Sequence, residues 1–230
     1  MTILTAAQGA MARLVGRRPA AVVSSTNEME VEITSLAQEA AVEIAKSHDW
    51  QALTEQHTVN GTGDDSYPIP PDYDRMNMAV GVSSPSWPNW WFSHARSLDE
   101  WEQIKIRGIN LEPGWWIILG GRFQTLPVIP AGGEARFFYL TKNIFTSDNQ
   151  TPKDAITADT DSFRLDERLL TLAIIWRWLS LKRMDYSEEL RTYEYALSQE
   201  QARDGGSRVM RSNGSVRFPG AVNSWPWELG

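Results

Sequence analysis

The sequence predicts an α+β protein: about four main helices, a small, mainly β module inserted between them, and an extended C-terminal arm. Three observations predict it. Apolar residues recur at helical spacing before residue 50 and again after residue 160. Between those stretches the period is lost, in a region rich in Trp, Pro and Gly, and the final residues show no period at all.

The first helix, Thr2 to Gly16, places Ile3, Leu4, Ala7, Met11, Leu14 and Val15 on a 3.6-residue period. Gly16 and Pro19 end it, and Arg17 and Arg18 suit the negative end of its dipole. A polar connector, Ser24 to Thr26, leads to Asn27, with Glu30 three residues on, which reads as a capping box. Met29, Ile33, Leu36, Ala37, Ala40 and Ile44 carry this second helix to Ser47, so residues 1–50 form the N-terminal helical part.

Residues 51–145 read as the inserted module. Gln51 to Val59 and Ser66 to Ile69 look like a hairpin closed around Gly61, Gly63, Asp64 and Asp65. Pro68, Pro70 and Pro71 forbid a helix, and Asp72 can cap a short turn after them. Trp101 to Ile106, Trp115 to Leu119 and Phe137 to Phe145 are β-type clusters.

A polar loop, Thr146 to Ala158, precedes the strongest helical stretch, Asp166 to Met184, marked by Leu169, Leu172, Ala173, Trp176 and Leu179. Asp185 with Glu188 supplies another capping signal, and the next helix runs through Leu190, Tyr193, Ala196 and Leu197 to Ala202. Residues 146–203 are thus a C-terminal helical hairpin. Asp204, Gly205 and Gly206 stop it, and residues 204–230 read as the arm.

Composition excludes several functions. The chain has 230 residues, 42% of them hydrophobic, a formal net charge of −7 and no cysteine. Disulfides, thiolate nucleophiles, iron–sulfur clusters and Cys-type zinc sites are therefore out. The three histidines, His48, His57 and His94, never fall four apart, so no helical His pair is available for a metal. No apolar run approaches the roughly 20 residues of a membrane span, and the N-terminus lacks the order of a signal peptide. A soluble protein without cofactor or membrane partner is expected.

No catalytic constellation emerges. Gly120-Gly121 and Gly132-Gly133 lack the Lys-Ser/Thr of a phosphate loop and read as hairpin turns. No G-x-S-x-G elbow is present. Asp64, Asp65, Asp72 and Asp74 are the carboxylates a glycosidase would need, but a turn and a cap account for them. The excess of tryptophan, 11 residues, admits an alternative: a carbohydrate-binding module stacking exposed indoles on sugar faces.

Tryptophan and arginine point instead to contact surfaces. Trp176 shares the apolar face of Leu172 and Leu179, whereas Trp178 lies about 200° round the helix, where it needs cover from the β module or another subunit. The arm carries Arg208, Arg211 and Arg217 with no acid between Asp204 and Glu228, which suits docking on an acidic or phosphate-bearing surface. Phe218, Val222, Trp225 and Trp227, spaced by Gly, Pro and Ser, can act as anchors in a partner's pockets.

The ordered combination of motifs resembles a family. Arg13 to Gly16 ends the first helix; Val22 to Ser25 forms the linker; Leu36 to Ala40 lies in the second helix; then come His48 to Thr54 and Tyr67 to Arg75. After the Trp-rich stretch follow Phe137 to Asn143, Asp161 to Leu170 and Trp176-Arg177-Trp178. This string, over residues 2 to 203, resembles the head-to-tail adaptor (connector) proteins of tailed bacteriophages, broadly similar in architecture to tail tubular protein A and head-completion proteins.

The resemblance implies a helical bundle with an inserted β domain, and a non-enzymatic structural protein of the virion. Such subunits form a ring, usually of twelve copies, at the head–tail junction. The ring joins the portal protein to a downstream tail or tail-completion protein and extends the channel through which genomic DNA passes without sequence-specific binding. Assembly in the host cytoplasm follows. Portal docking would fall to Arg208, Arg211, Arg217, Phe218, Val222, Trp225 and Trp227, and the subunit interface to Trp178, Trp90 and Trp91. An acidic subunit fits a channel from which a polyanion must slide freely.

Overall fold

The computed structural model describes residues 2–77, 81–85, 91–107 and 114–205, without the side chain of Trp91. In chain order the elements are α1 (Ile3–Val15), α2 (Glu28–Lys46), a 3-10 turn (Gln51–Leu53), β1 (Thr54–Asn60), β2 (Ser66–Pro68), β3 (Tyr73–Met76), β4 (Val82–Ser83) and β5 (Trp91–His94). They continue with α3 (Leu98–Arg107), β6 (Trp115–Leu119), β7 (Arg122–Leu126), β8 (Glu134–Thr141), β9 (Phe145–Thr146), β10 (Pro152–Lys153), β11 (Ser162–Phe163), α4 (Glu167–Leu181) and α5 (Ser187–Arg203). Two compact units result, one from the chain up to Thr54 and again from Leu140 through α5, the other from Glu55–Tyr139.

In the helical unit, α4 packs against α1, α2 and α5. Alanines make close approach possible: Ala6, Ala7 and Ala10 of α1, Ala37, Ala40 and Ala41 of α2, and Ala173 of α4 are all buried. Ile33 and Ile44 are fully buried between them, and truncating either to alanine costs about 3 kcal/mol. α1 is capped at both ends, by reciprocal Thr2 and Thr5 hydrogen bonds and by Gly16 in the left-handed conformation (φ 68°).

At α2 the expected capping box is only half made. Asn27 accepts the Met29 N–H at 3.1 Å, but Glu30 does not return to the cap. Its buried carboxylate accepts from Arg17 at 2.5 Å, because a charge-assisted bond to a guanidinium outweighs one to an amide. Arg17 therefore serves the start of α2 rather than the end of α1.

The short sheet β10-β9-β11 covers the same core with Phe145 and Phe163. Its loops staple the unit: the Asp159 carboxylate accepts from the Val22 and Val23 amides at 2.8 and 3.0 Å, and the Asp161 carbonyl accepts the Ile3 N–H at 2.7 Å.

The second unit corrects the expected fold. It is not a small insertion in a four-helix bundle: eight strands form one sheet, in the order β1-β8-β4-β5-β6-β7-β2 with β3 also on β8. The terminal strands of that path, β1 and β2, are consecutive in the chain, so the sheet curls into a large, nearly closed, barrel-like core. Phe92, Trp116, Phe123, Ile129, Phe137 and Tyr139 fill it. The hairpin expected from Gln51 to Ile69 does not form; β1 pairs β8, and β2 pairs β7, with Tyr67 opposite Phe123.

Among the described residues there are five α-helices, because Trp101 to Ile106 is helical rather than a strand. β5 and β6 are parallel, and a parallel pair needs a crossover connection, which α3 supplies. Trp101 and Ile104 face inward at three-residue spacing, Trp101 packing with Ala95 and Ile117. The expected arm, from residue 206 on, lies outside the described residues.

Candidate functional site

α4 is apolar on every side. Leu169, Leu170, Leu172, Ala173, Ile174 and Ile175 are buried, Trp176, Trp178 and Leu179 are half-buried, and Leu181 is 55% exposed. A helix of this kind belongs inside an assembly, and here its last turns reach the surface.

The turn after α4 shapes what they meet there. Arg183 is left-handed (φ 57°); its N–H donates to the Ser180 carbonyl at 3.0 Å, and the Met184 N–H donates to Leu179 at 2.9 Å. These are the paired bonds of a Schellman cap, which brings Met184 back over Leu179. The result is a groove of about 480 Å3 between α1, α4 and α5, floored by Leu172, Ile175, Trp178 and Leu179. Glu188 and Glu189 border it on the α5 side and Arg13 on the α1 side. A second, separate depression of about 530 Å3 at the start of α5 is lined by Asp185, Arg191 and Glu194 among others.

The α5 start has an electrostatic basis. Tyr186 provides no side-chain cap, and Asp185 does not pair with Glu188 as a capping box would require. The Asp185 carboxylate instead accepts from the Ser187 hydroxyl and from its amide at 3.1 Å, which holds it below the usual carboxylate range.

Trp178 enters the groove with Lys182 5.7 Å above its ring, while Trp176 lies 6.2 Å from Tyr186 and 6.1 Å from Tyr193, with Arg177 over its face. Helices of its own unit thus cover part of Trp178. Trp90, Arg208, Arg211, Arg217, Phe218, Val222, Trp225 and Trp227 lie outside the described residues, as does the side chain of Trp91, whose backbone pairs with Ser83. No two of the residues expected at interfaces are brought together among those described.

Sequence reasoning missed one polar cluster. The Tyr139 hydroxyl lies 3.1 Å from both Asp72 oxygens and 3.5 Å from Glu55. Burial first, then Asp72 and Glu55, push this phenol well above its ordinary value, so it stays protonated and bridges the acids. The Asp72 side chain accepts from a tyrosine 67 residues away in the chain, a pairing with no local signal. Asp64 lies in the connection between β1 and β2, accepting from the Thr62 hydroxyl at 2.6 Å.

The described indoles also speak to the sugar-binding alternative. Trp50, Trp101 and Trp116 are buried, and Trp115, Trp176 and Trp178 are half-buried, so none of the six offers an open face for stacking on a sugar. Among the described residues no group of His, Asp and Glu could hold a metal ion, and no described helix is long and apolar enough to cross a membrane.

An apolar groove with a charged border is the kind of surface that contacts with other chains cover. The chain matches the family model described as SU10 adaptor protein over residues 1–219, and it belongs to that family. It is a bacteriophage structural adaptor, a virion component that interacts with other head and tail proteins. No curated protein matches the chain.

Proposed function

We propose that this adaptor forms a ring, of twelve copies, between the portal protein and a downstream tail protein at the head–tail junction, and extends the DNA channel there. In architecture it would be similar to tail tubular protein A and head-completion proteins. The helical unit supplies lateral contacts, and Trp178, Trp90 and Trp91 belong to the subunit interface. The arm docks on the portal through Arg208, Arg211, Arg217, Phe218, Val222, Trp225 and Trp227. Assembly takes place in the host cytoplasm, and the role is structural rather than catalytic.

The observation that carries this reading is the apolar end of α4. Leu181 and Met184 are 55% and 53% exposed beside the half-buried Trp178, a surface that a neighbouring subunit would cover. Family membership over nearly the whole chain supports it. The net charge of −7 suits a channel that must not retain DNA. Repetition around a ring would make many weak arm contacts add to a firm joint.

Imaging the purified protein mixed with its portal tests the reading. Closed rings stacked coaxially on the portal are expected; subunits that stay monomeric and leave the portal bare would refute it.

A further inference from the structure

We propose that the groove between α1, α4 and α5 receives residues 206–217 of a second copy of the chain, so that each subunit's arm straps its neighbour before going on to the portal. This rests on the ring reading above and names the contact that closes the ring.

Charge is the first argument. Two carboxylates, Glu188 and Glu189, border the groove against one cation, Arg13. Residues 206–217 carry Arg208, Arg211 and Arg217 and no acid. Between those arginines stand Val209, Met210 and Val216, apolar side chains of a size to lie on Leu179 and Trp178. An apolar floor with an acidic border is complementary to a segment that alternates basic and apolar residues.

Position is the second. Asp204 fixes the point where the arm departs: its carboxylate accepts the Gln51 N–H at 2.9 Å and lies 3.5 Å from His48 Nε2. That point is at the C-terminal end of α5, whereas Glu188 and Glu189 are in its first turn, about 20 Å away along the axis. A donor segment and its receiving groove at opposite ends of one helix make a heterologous, head-to-tail contact, the kind that generates rings. Roughly a dozen extended residues span up to about 40 Å, enough to reach across to a neighbour. The strap thus reassigns Arg208, Arg211 and Arg217 from the portal to the neighbouring subunit and leaves Phe218, Val222, Trp225 and Trp227 for the portal.

The absence of native cysteine gives a clean test in the full-length protein. Met184→Cys and Met210→Cys are placed on separate, differently tagged chains that are co-expressed, and both are also placed on one chain. Oxidation should yield a disulfide between the two tagged chains, and a ladder of multimers from the double variant. Reversing the groove charge with Glu188→Lys and Glu189→Lys should cut the cross-linking at least about tenfold, and adding Arg208→Glu with Arg211→Glu should restore it. Rings seen by imaging that give no cross-link, or a double variant that closes only within its own chain, would overturn the strap while leaving the ring intact. Failure of the unmodified protein to form rings would remove both.

Discussion

Lys153 Nζ lies 2.7 Å from Asp161 Oδ2, and the carboxylate it meets is almost wholly buried. The same group accepts the Thr157 and Ala158 amides at 2.8 and 2.9 Å. Burial alone would raise this carboxyl; Lys153 and the two amides together outweigh it and hold it below the usual carboxylate range. Its folded value being below its unfolded one, near 3.9, the knot contributes stability above about pH 4 and loses it as pH falls through the folded value. Lys153→Met should cost about 3 kcal/mol at neutral pH by leaving a buried charge without its ion partner. In Asp161→Asn the decline in melting temperature below pH 4 should be shallower than in the native protein; an unchanged acid limb would sink the assignment.

Arg183 occupies a left-handed cap that glycine adopts without steric penalty. Arg183→Gly should therefore stabilise the subunit by about 1 kcal/mol, a rise of about 2–4 °C in melting temperature. A fall would mean that the arginine side chain itself holds the α4–α5 corner.

Gly61 has the opposite constraint. A Cβ there would lie 2.2 Å from the Pro130 carbonyl oxygen and 2.6 Å from Ile129 Cγ2, and its N–H donates to Gly133 at 2.7 Å. Gly61→Ala should destabilise the β unit by about 3 kcal/mol, readable as a lower urea midpoint. A midpoint within about 0.5 kcal/mol of native would show that the neighbouring backbone yields freely.

Self-association can be separated from folding at the end of α4. Leu181→Glu alters a side chain already facing water, so monomer melting should stay within about 0.5 kcal/mol of native while sedimentation shows ring formation weakened at least about tenfold. Equal ring formation in the variant would place the lateral interface elsewhere.

Deleting residues 206–230 should leave a folded subunit that no longer stays on the portal, and Trp225→Ala with Trp227→Ala should weaken that attachment without lowering monomer melting. Portal rings that bind the truncated chain as firmly as the full one would refute a docking role for the arm.

Helices whose signals are local are legible in the sequence. Periodicity places helices at Thr2 to Gly16 and at Asp166 to Met184, and α1 and α4 occupy Ile3–Val15 and Glu167–Leu181, with Thr2 and Asp166 as their caps. α3 is the exception, and its signal was present. Ser97 and Glu100 form the S-x-x-E signature, with the Glu100 N–H donating to Ser97 Oγ at 3.1 Å and the Glu100 carboxylate accepting from Arg96. Trp101, Ile104 and Ile106 mask it by their β propensity, which a parallel crossover overrides.

The sheet was not legible, because its pairings are long-range. Ser66 pairs with Gln124 and Tyr67 with Phe123, so no local turn rule could have chosen β7 over β1 as the partner of β2. The groove was legible by half. Trp178 stands out by its angle on the helix, whereas Met184 and Glu188 arrive beside it only through the backbone conformation of Arg183, a residue type that gives no hint of a left-handed cap.

The strand that leads into the β unit and the strand that leads out are neighbours. β1 pairs β8, and the Gly61 N–H donates to Gly133 at 2.7 Å, so the end of one meets the start of the other and the two run antiparallel. The chain therefore leaves the β unit beside the place where it came in. An insert with adjoining ends behaves as a cassette: strands within it can be lengthened, exchanged or lost while its host helices keep their path. A change confined to such a block leaves the two ends that its host must join where they were.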